Sequence, residues 1–341
     1  MSPEFGRVGS FPIGTSIVAL PFTLIGSFFH AADLEIAVAT ADIIATLSAV
    51  VLFLLAGNLG SGILKSLFIA VLFAFGTSQF STHAGGLWSH NVVVLASLLA
   101  LFILTSQEKK WVLALPFILF IGYLSRPDFS LVIIAVLAYQ AITDKERAIQ
   151  VAAMLAILMV AFFTWSYLGY GDILPPYYRS SRLGLTDFGE HLMGQMFSPN
   201  RGLFVYNPIF LLSIWGGVLA FRRDIPFKWL YRVIAVVCLL FFTAVACFSH
   251  WWGGFSFGPR LHAPVYGLLS VLIIPVLNEL PRSLIIRRGL VAFVILASAW
   301  GFFVHGKAAV RMAVHEWNFT PNNVDHYPER LWDWTDMQIF R

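Results

Sequence analysis

Stretches of apolar residues long enough to cross a bilayer recur from residue 36 to residue 305, broken only by short polar connections. Lipid offers no hydrogen-bond partner to a peptide group, so each such stretch has to satisfy its backbone internally, as a helix. The mean hydropathy of +0.78 and a charged fraction of 12% agree, since a soluble domain carries roughly twice that charge. The chain is therefore predicted to be an all-α, polytopic membrane helix bundle. Ten spans are read near 36–56, 62–80, 91–106, 111–124, 128–143, 148–170, 203–222, 229–248, 262–278 and 287–305. Several are short and imply tilt or burial within the bundle.

Lys and Arg are concentrated in one alternate set of connections: Lys109 and Lys110, Lys145 and Arg147, Arg222, Arg223 and Lys228, then Arg282, Arg287 and Arg288. The positive-inside rule makes these cytoplasmic. The other set, 1–35, 81–90, 171–202, 249–261 and 306–341, then faces outward, together with both termini. This divides the chain into an outer juxtamembrane segment (1–35), a transmembrane helical domain (36–305) with the outer loop 171–202 inserted, and an outer-face C-terminal tail (306–341). Counting 11–30 as an ordinary first span would reverse every later loop and turn the basic clusters outward. A juxtamembrane segment lying on the outer surface is preferred, with Pro12 and Gly14 at its start suiting a bent, interfacial entry. The start, Met1-Ser-Pro-Glu-Phe-Gly-Arg7, lacks the basic-then-apolar order of a cleavable signal and reads either as the interior of a longer pattern or as a remnant of cloning. Cys238 and Cys247, nine residues apart in one apolar run, read as small packing residues without a disulfide. A net charge of +4 gives no reason to expect nucleic acid.

The residues able to do chemistry lie almost entirely in the outward set. Gly76-Thr-Ser-Gln-Phe-Ser-Thr-His-Ala-Gly-Gly-Leu-Trp-Ser-His90 places His83, Trp88 and His90 at one helix end. Two neutral imidazoles there suit a base or a metal, or simply loop hydrogen bonds, and no Cys or Asp at ligand spacing accompanies them. Ser125-Arg-Pro-Asp128 is a very short turn in which Arg126 either grips a phosphate or carboxylate, or pairs locally with Asp128. The loop 171–202 carries Arg179, Arg182, Asp187, Glu190 and His191. It runs into Ser198-Pro-Asn-Arg-Gly-Leu-Phe-Val-Tyr-Asn-Pro208, where Arg201 stands at a membrane boundary suited to a lipid phosphate. In Trp251-Trp-Gly-Gly-Phe-Ser-Phe-Gly-Pro-Arg260-Leu-His262, the glycines bring the backbone into a tight turn just before an Arg and a His able to hold an anion. A pair of tryptophans is otherwise an ordinary interfacial belt. The tail, with Leu331-Trp-Asp-Trp334, is predicted to cap the outer face, and Asn318-Phe-Thr is a formal glycosylation sequon. Asp42 lies inside the first span, where a carboxylate is costly unless paired, so it is expected to face the bundle interior.

These pieces, with Phe11-Pro-Ile-Gly-Thr-Ser16 and Pro21-Phe22, resemble a bacterial branch of the GT-C superfamily of polytopic glycosyltransferases, which includes protein O-mannosyltransferases and the aminoarabinose transferase acting on lipid A. The resemblance spans most of the chain. It implies catalysis at the extracytoplasmic face of the bacterial inner (plasma) membrane, within the cell envelope. Membrane lipids surround the bundle, a polyprenyl-phosphate-linked sugar is the donor, and a glycan, lipid or protein hydroxyl is the acceptor. The family's first span and its carboxylate-bearing outer loop would precede Met1. On the residues present, the leaving phosphate would be held by Arg126, Arg201 and Arg260 with His262. The candidate bases are Asp128, Asp187 and His90, and the sugar or acceptor would meet His83, Trp88, Tyr206, Trp251 and Trp252. Such a mechanism requires no metal and no cofactor. A transporter or flippase of lipid-linked sugars would instead place ionisable groups deep within the spans. A non-catalytic lipid-binding membrane subunit would have no base at all.

Overall fold

In the computed structural model, residues 11–178 and 183–341 are described. Arg179 and Arg182 lie outside them, as do the first ten residues of the juxtamembrane segment. Among the described residues the fold is all-α, with only an isolated bridge between Leu183 and Phe248. In chain order the helices are α1 (Gly14–Phe28), α2 (Asp33–Asn58), α3 (Ile63–Phe75), α4 (Ser89–Thr105), α5 (Leu115–Ser125), α6 (Ser130–Thr143), α7 (Lys145–Tyr170), α8 (Phe188–Phe197), α9 (Leu203–Tyr206), α10 (Leu211–Arg222), α11 (Lys228–Ala246), α12 (Ala263–Asn278), α13 (Leu284–Val310) and α14 (Met312–Glu316).

Five of the apolar helices, those over Asp33–Asn58, Lys145–Tyr170, Lys228–Ala246, Arg260–Asn278 and Leu284–Val310, are long and apolar enough to cross a membrane. The chain is in this respect an all-α membrane protein. The other five segments read as spans are helical but short. α3, α4, α5, α6 and α10 have 13, 17, 11, 14 and 12 residues. At 1.5 Å per residue each falls short of a hydrocarbon layer of about 30 Å. Turns of 3₁₀ helix at Lys109–Ala114, Pro127–Phe129 and Pro208–Phe210 lead into α5, α6 and α10.

α12 is the most buried of the five, apolar on every side and enclosed by α3, α4, α10 and α11. Its neighbours come very close. A Cβ on Gly216 would collide with the Leu272 carbonyl oxygen, so glycine is what lets α10 lie on α12. Several buried hydroxyls are satisfied within their own helices, and Ser213 of α10 donates across to Leu269 O of α12. Thr40, Ser48, Ser97 and Ser270 each donate to the carbonyl four residues back at 2.6–2.8 Å. Unpaired donors in such an interior would cost several kcal/mol each, roughly. Cys238 and Cys247 are both free thiols.

Direct contacts sort the connections into two ends. At one, Asn58 reaches Thr105, while Ser61 and Lys65 reach Asn278. At the other, Arg126 meets His90, Arg260 lies over Trp88, and Arg201 bonds Trp252 and Asn318. Every long connection belongs to this second, loop end. α1 lies there too. Gly14 packs against Ser125, the last residue of α5, and Gly26 against Ile36 in the first turn of α2, so both ends of α1 touch the same end of the bundle. α13 continues to Val310, past the boundary read from hydropathy.

Asp42 does not face the interior. The stripe Thr40, Ala41, Ile44, Ala45, Ser48, Leu52 and Leu55 turns inward at helical spacing, and Asp42 falls outside it, exposed beside Ile43.

Replacing Gly216 with Ala is expected to destabilise the fold by about 1–3 kcal/mol through overpacking. Gly57→Ala, at a helical site with open space around it, is expected to be neutral or stabilising. Thermal melts of the two variants in the same detergent check this. Equal melting temperatures would contradict the close α10–α12 approach.

Candidate functional site

Two polar assemblies form at the loop end, and they do different things. The first ties the loops together around Arg201, whose residue is only 1% exposed. Nε donates to the Trp252 carbonyl (3.1 Å). One Nη donates to Asn200 O and Gln338 Oε1 (both 2.7 Å), the other to Gly254 O (3.3 Å) and Asn318 Oδ1 (2.6 Å). A guanidinium has five N–H groups, and all five are engaged. Its face lies over Trp317, and so does that of Arg330, which bonds the Trp317, Thr320 and Asn322 carbonyls and Asp336. Burial pulls Arg201 down to about 10, which still leaves it charged at neutral pH.

The local sequence explains this arrangement. Pro199 ends α8, and Ser198 Oγ accepts from the Asn200 and Arg201 amides while donating to Leu331 O at 2.5 Å. Asn200 bonds the Arg330 and Gln338 backbones. Gln338 also bonds Ser256 O, Val314 O and Gly258 N. Tyr206 is fully buried here, its hydroxyl on Asn200 O and its ring edge-on to Phe257. Trp252 stacks on His250 and donates to Asp325, while Trp251 packs on Gly194 of α8. Arg201, expected to hold a phosphate, is committed to the protein's own acceptors. Tyr206, Trp251 and Trp252 are packing residues of the same assembly.

The second assembly centres on Arg126 and Arg260. Proline disfavours helical backbone in the residue before it, so Pro127 leaves Arg126 extended (φ −157°) at the end of α5. Asp128 then grips Arg126 through both carboxylate oxygens at 2.8–3.0 Å, and Nη1 points to His90 Nε2 at 3.3 Å. The other guanidinium comes from the glycine turn. Gly253, Gly254 and Gly258 all have positive φ, so the loop doubles back and the Gly253 carbonyl receives Arg260 Nη2 at 2.6 Å. Arg260 lies over the half-exposed Trp88 ring, 5.2 Å from its centroid. His83 and His90 stack at 5.7 Å and 19°. Tyr177 stands beside both guanidinium groups.

Hydrogen bonding sets the two tautomers. Arg126 donates to His90 Nε2, so Nδ1 carries the His90 hydrogen. His83 Nδ1 faces Gln79 Oε1 at 3.0 Å, so Nδ1 is protonated and Nε2 keeps a lone pair. His90 Nδ1, His83 Nε2 and Arg260 Nε are all buried without a partner. Burial first, then Arg260 and Arg126, lowers His83 to about 3, so it is neutral at physiological pH. For Arg126, burial opposes the charge, but Asp128 outweighs it and the pKa rises above its ordinary value. Among the described residues no cluster of three His, Cys, Asp or Glu groups could hold a metal ion.

His83, Trp88, His90, Arg126, Asp128 and Arg260 are thus brought together. Asp187 is exposed at the start of α8, and its side chain does not cap that helix. His262 turns away from Arg260 and bonds Gln195, behind α8. Sequence reading passed over Gln79, which orients His83 from one helical turn away, and His305, which links Ser81 to Asn207 at 2.8 and 3.0 Å. The i, i+4 spacing of Gln79 and His83 was an available signal. Gln338 had none.

Arg201→Ala should cost more than about 3 kcal/mol, since it strands several buried acceptors, and should leave the tail open to protease. Lys at 201, with three donors, is expected to rescue little. A stable, protease-resistant Arg201→Ala protein would contradict the assembly. His83 also makes a pH prediction. When unfolded it binds a proton near 6.5, but when folded only near 3, so the unfolded state holds more protons within that window. Stability is full above about 6.5 and falls as pH drops towards 3. Melts at pH 7 and pH 4 should show a smaller difference in His83→Gln than in the parent, and an equal difference would refute the burial of a neutral His83. No family model, no curated protein and no solved structure matches the chain.

Proposed function

We propose that the chain is the membrane-embedded body of a glycosyltransferase that binds a polyprenyl-phosphate-linked sugar at the extracytoplasmic face of a bacterial inner membrane and passes the sugar to an acceptor hydroxyl. The observation that carries the reading is two neighbouring guanidinium groups of which, among the described residues, only Arg126 is paired with a carboxylate, with Arg260 Nε and His90 Nδ1 left as unpartnered donors. That is a net positive, donor-rich, half-buried site at the membrane boundary, and a phosphate is the anion that fits it. If all ten apolar segments cross the membrane with the basic connections cytoplasmic, this site lies on the outer face.

In the transfer, the acceptor oxygen attacks the anomeric carbon, the bond to the lipid phosphate breaks, and its electron pair leaves on that phosphate, which Arg126 and Arg260 hold. The acceptor proton needs a lone pair. Asp128 is engaged by Arg126, and the free lone pair of the cluster's imidazoles is His83 Nε2. An arriving phosphate offsets the two cations that help keep His83 unprotonated, so donor binding raises its basicity.

The engaged state of Asp128 favours one second reading, a lipid-binding subunit without catalysis. A flippase has less support, because the ionisable groups lie at the ends of the helices and Asp42, the exception, faces outward.

The test is titration of the full chain, in zwitterionic nanodiscs, with polyprenyl monophosphate, reading Trp88 fluorescence. Arg126→Gln and Arg260→Gln should each weaken binding about 10- to 100-fold with melting temperatures preserved. Unchanged binding in both variants would overturn the site. Binding without sugar transfer, from donors that otherwise prove competent, would select the subunit reading.

A further inference from the structure

Near the loop-end terminus of α13, on the side away from the cluster just described, lies an open groove of about 470 Å³ lined by Phe302, Phe303, Gly306, Lys307, Val310 and Arg311. α13 turns Ala297, Gly301, Val304, His305 and Ala308 inward, with His305 bonded to Ser81 and Asn207, so the groove occupies the outward face of a helix apolar and long enough to span. Gly306 leaves open space where a side chain would project. Phe302 and Phe303 are exposed below the cations, and Val310 beside them.

Lys307 and Arg311 sit four residues apart, hence on one face, where like charges repel. Among the described residues neither pairs with a carboxylate, whereas Arg126, Arg147, Lys228, Arg330 and Arg341 all do. The end of a helix favours a cation and long basic side chains snorkel to an interface, which accounts for one such residue at this depth. It does not account for two of them rimming an apolar trough. From Phe303 to Arg311 the helix rises about 12 Å, so the groove offers a hydrocarbon wall followed at headgroup depth by two cations.

We infer that this groove is a binding site for an anionic glycerophospholipid of the surrounding leaflet, its phosphodiester between Lys307 and Arg311 and its first acyl segment along Phe302 and Phe303. The site is separate from the Arg126–Arg260 cluster and takes a structural lipid rather than a donor. It rests on α13 spanning the membrane, not on the glycosyltransferase reading.

The experiment compares the full chain in phosphatidylcholine nanodiscs with and without phosphatidylglycerol, reading melting temperature and, by native mass spectrometry, retained lipid. The parent should melt higher with phosphatidylglycerol and keep it preferentially. Lys307→Gln combined with Arg311→Gln should lower that preference about tenfold or more, leaving polyprenyl monophosphate binding unchanged. Gly306→Leu, which keeps both charges and fills the floor, should weaken it as well. An undiminished preference in the double variant, or none in the parent, overturns the proposal. So does equal stabilisation of the parent in detergent by inorganic phosphate, which would make the groove a simple anion site. Loss of polyprenyl monophosphate binding in Arg126→Gln with the phosphatidylglycerol preference intact would separate the two sites.

Discussion

The loop end of this bundle depends on one buried cation that, among the described residues, makes no direct ion pair. Arg201 spends every N–H on the protein's own oxygens, and those oxygens come from three remote stretches: its own turn, the Trp252–Gly254 backbone, and Asn318 and Gln338 of the tail. Removing a guanidinium from water is expensive, and five charge-assisted bonds with the Trp317 ring are what offset it. The Gly253-Gly254 turn held in this way is also the turn whose carbonyl holds Arg260. The assembly that looks structural therefore positions the one that looks functional.

Lipid as solvent accounts for the separation of roles. Within the bundle, most side-chain hydroxyls bond backbone carbonyls of their own or a neighbouring helix, and close approaches fall on glycine. Ionisable groups collect at the ends, and the short connections of one end leave room for little beyond anchoring charge. The long connections of the other end have enough chain to build both a fully satisfied network and a deliberately incomplete one. Arg201 and Arg260 illustrate the contrast: the same side chain, fully partnered in the first and left with a bare Nε in the second.

Helix positions were legible because an apolar run of that length has few alternatives. Which of them cross a bilayer was less so, because apolar runs became helices as different as the 11 residues of α5 and the 27 of α13. The convergence of Ser125-Arg-Pro-Asp128 with the glycine turn was readable from the alternation of connections. The part played by each side chain was not. Arg260 and His262 are neighbours in sequence, but the 3₁₀ turn they share sends them to different surroundings. Arg201 and Arg126 look equally suited to a phosphate until the tail supplies Gln338 and Asn318, more than a hundred residues downstream. Asp42 was assigned to the interior on cost alone, yet the register of α2, set by its small and apolar stripe, turns it outward.

The central claim is that all long connections share one extracytoplasmic surface. Single cysteines at Leu185 and Asn323 on the loop end, and at Glu279 and Arg282 on the opposite end, in a background lacking Cys238 and Cys247, test it with a membrane-impermeant maleimide applied to intact spheroplasts. The account predicts labelling of the first two before permeabilisation and of the second two only after it. Labelling of Leu185→Cys and Asn323→Cys from opposite compartments, or of Glu279→Cys and Arg282→Cys from outside, would contradict it.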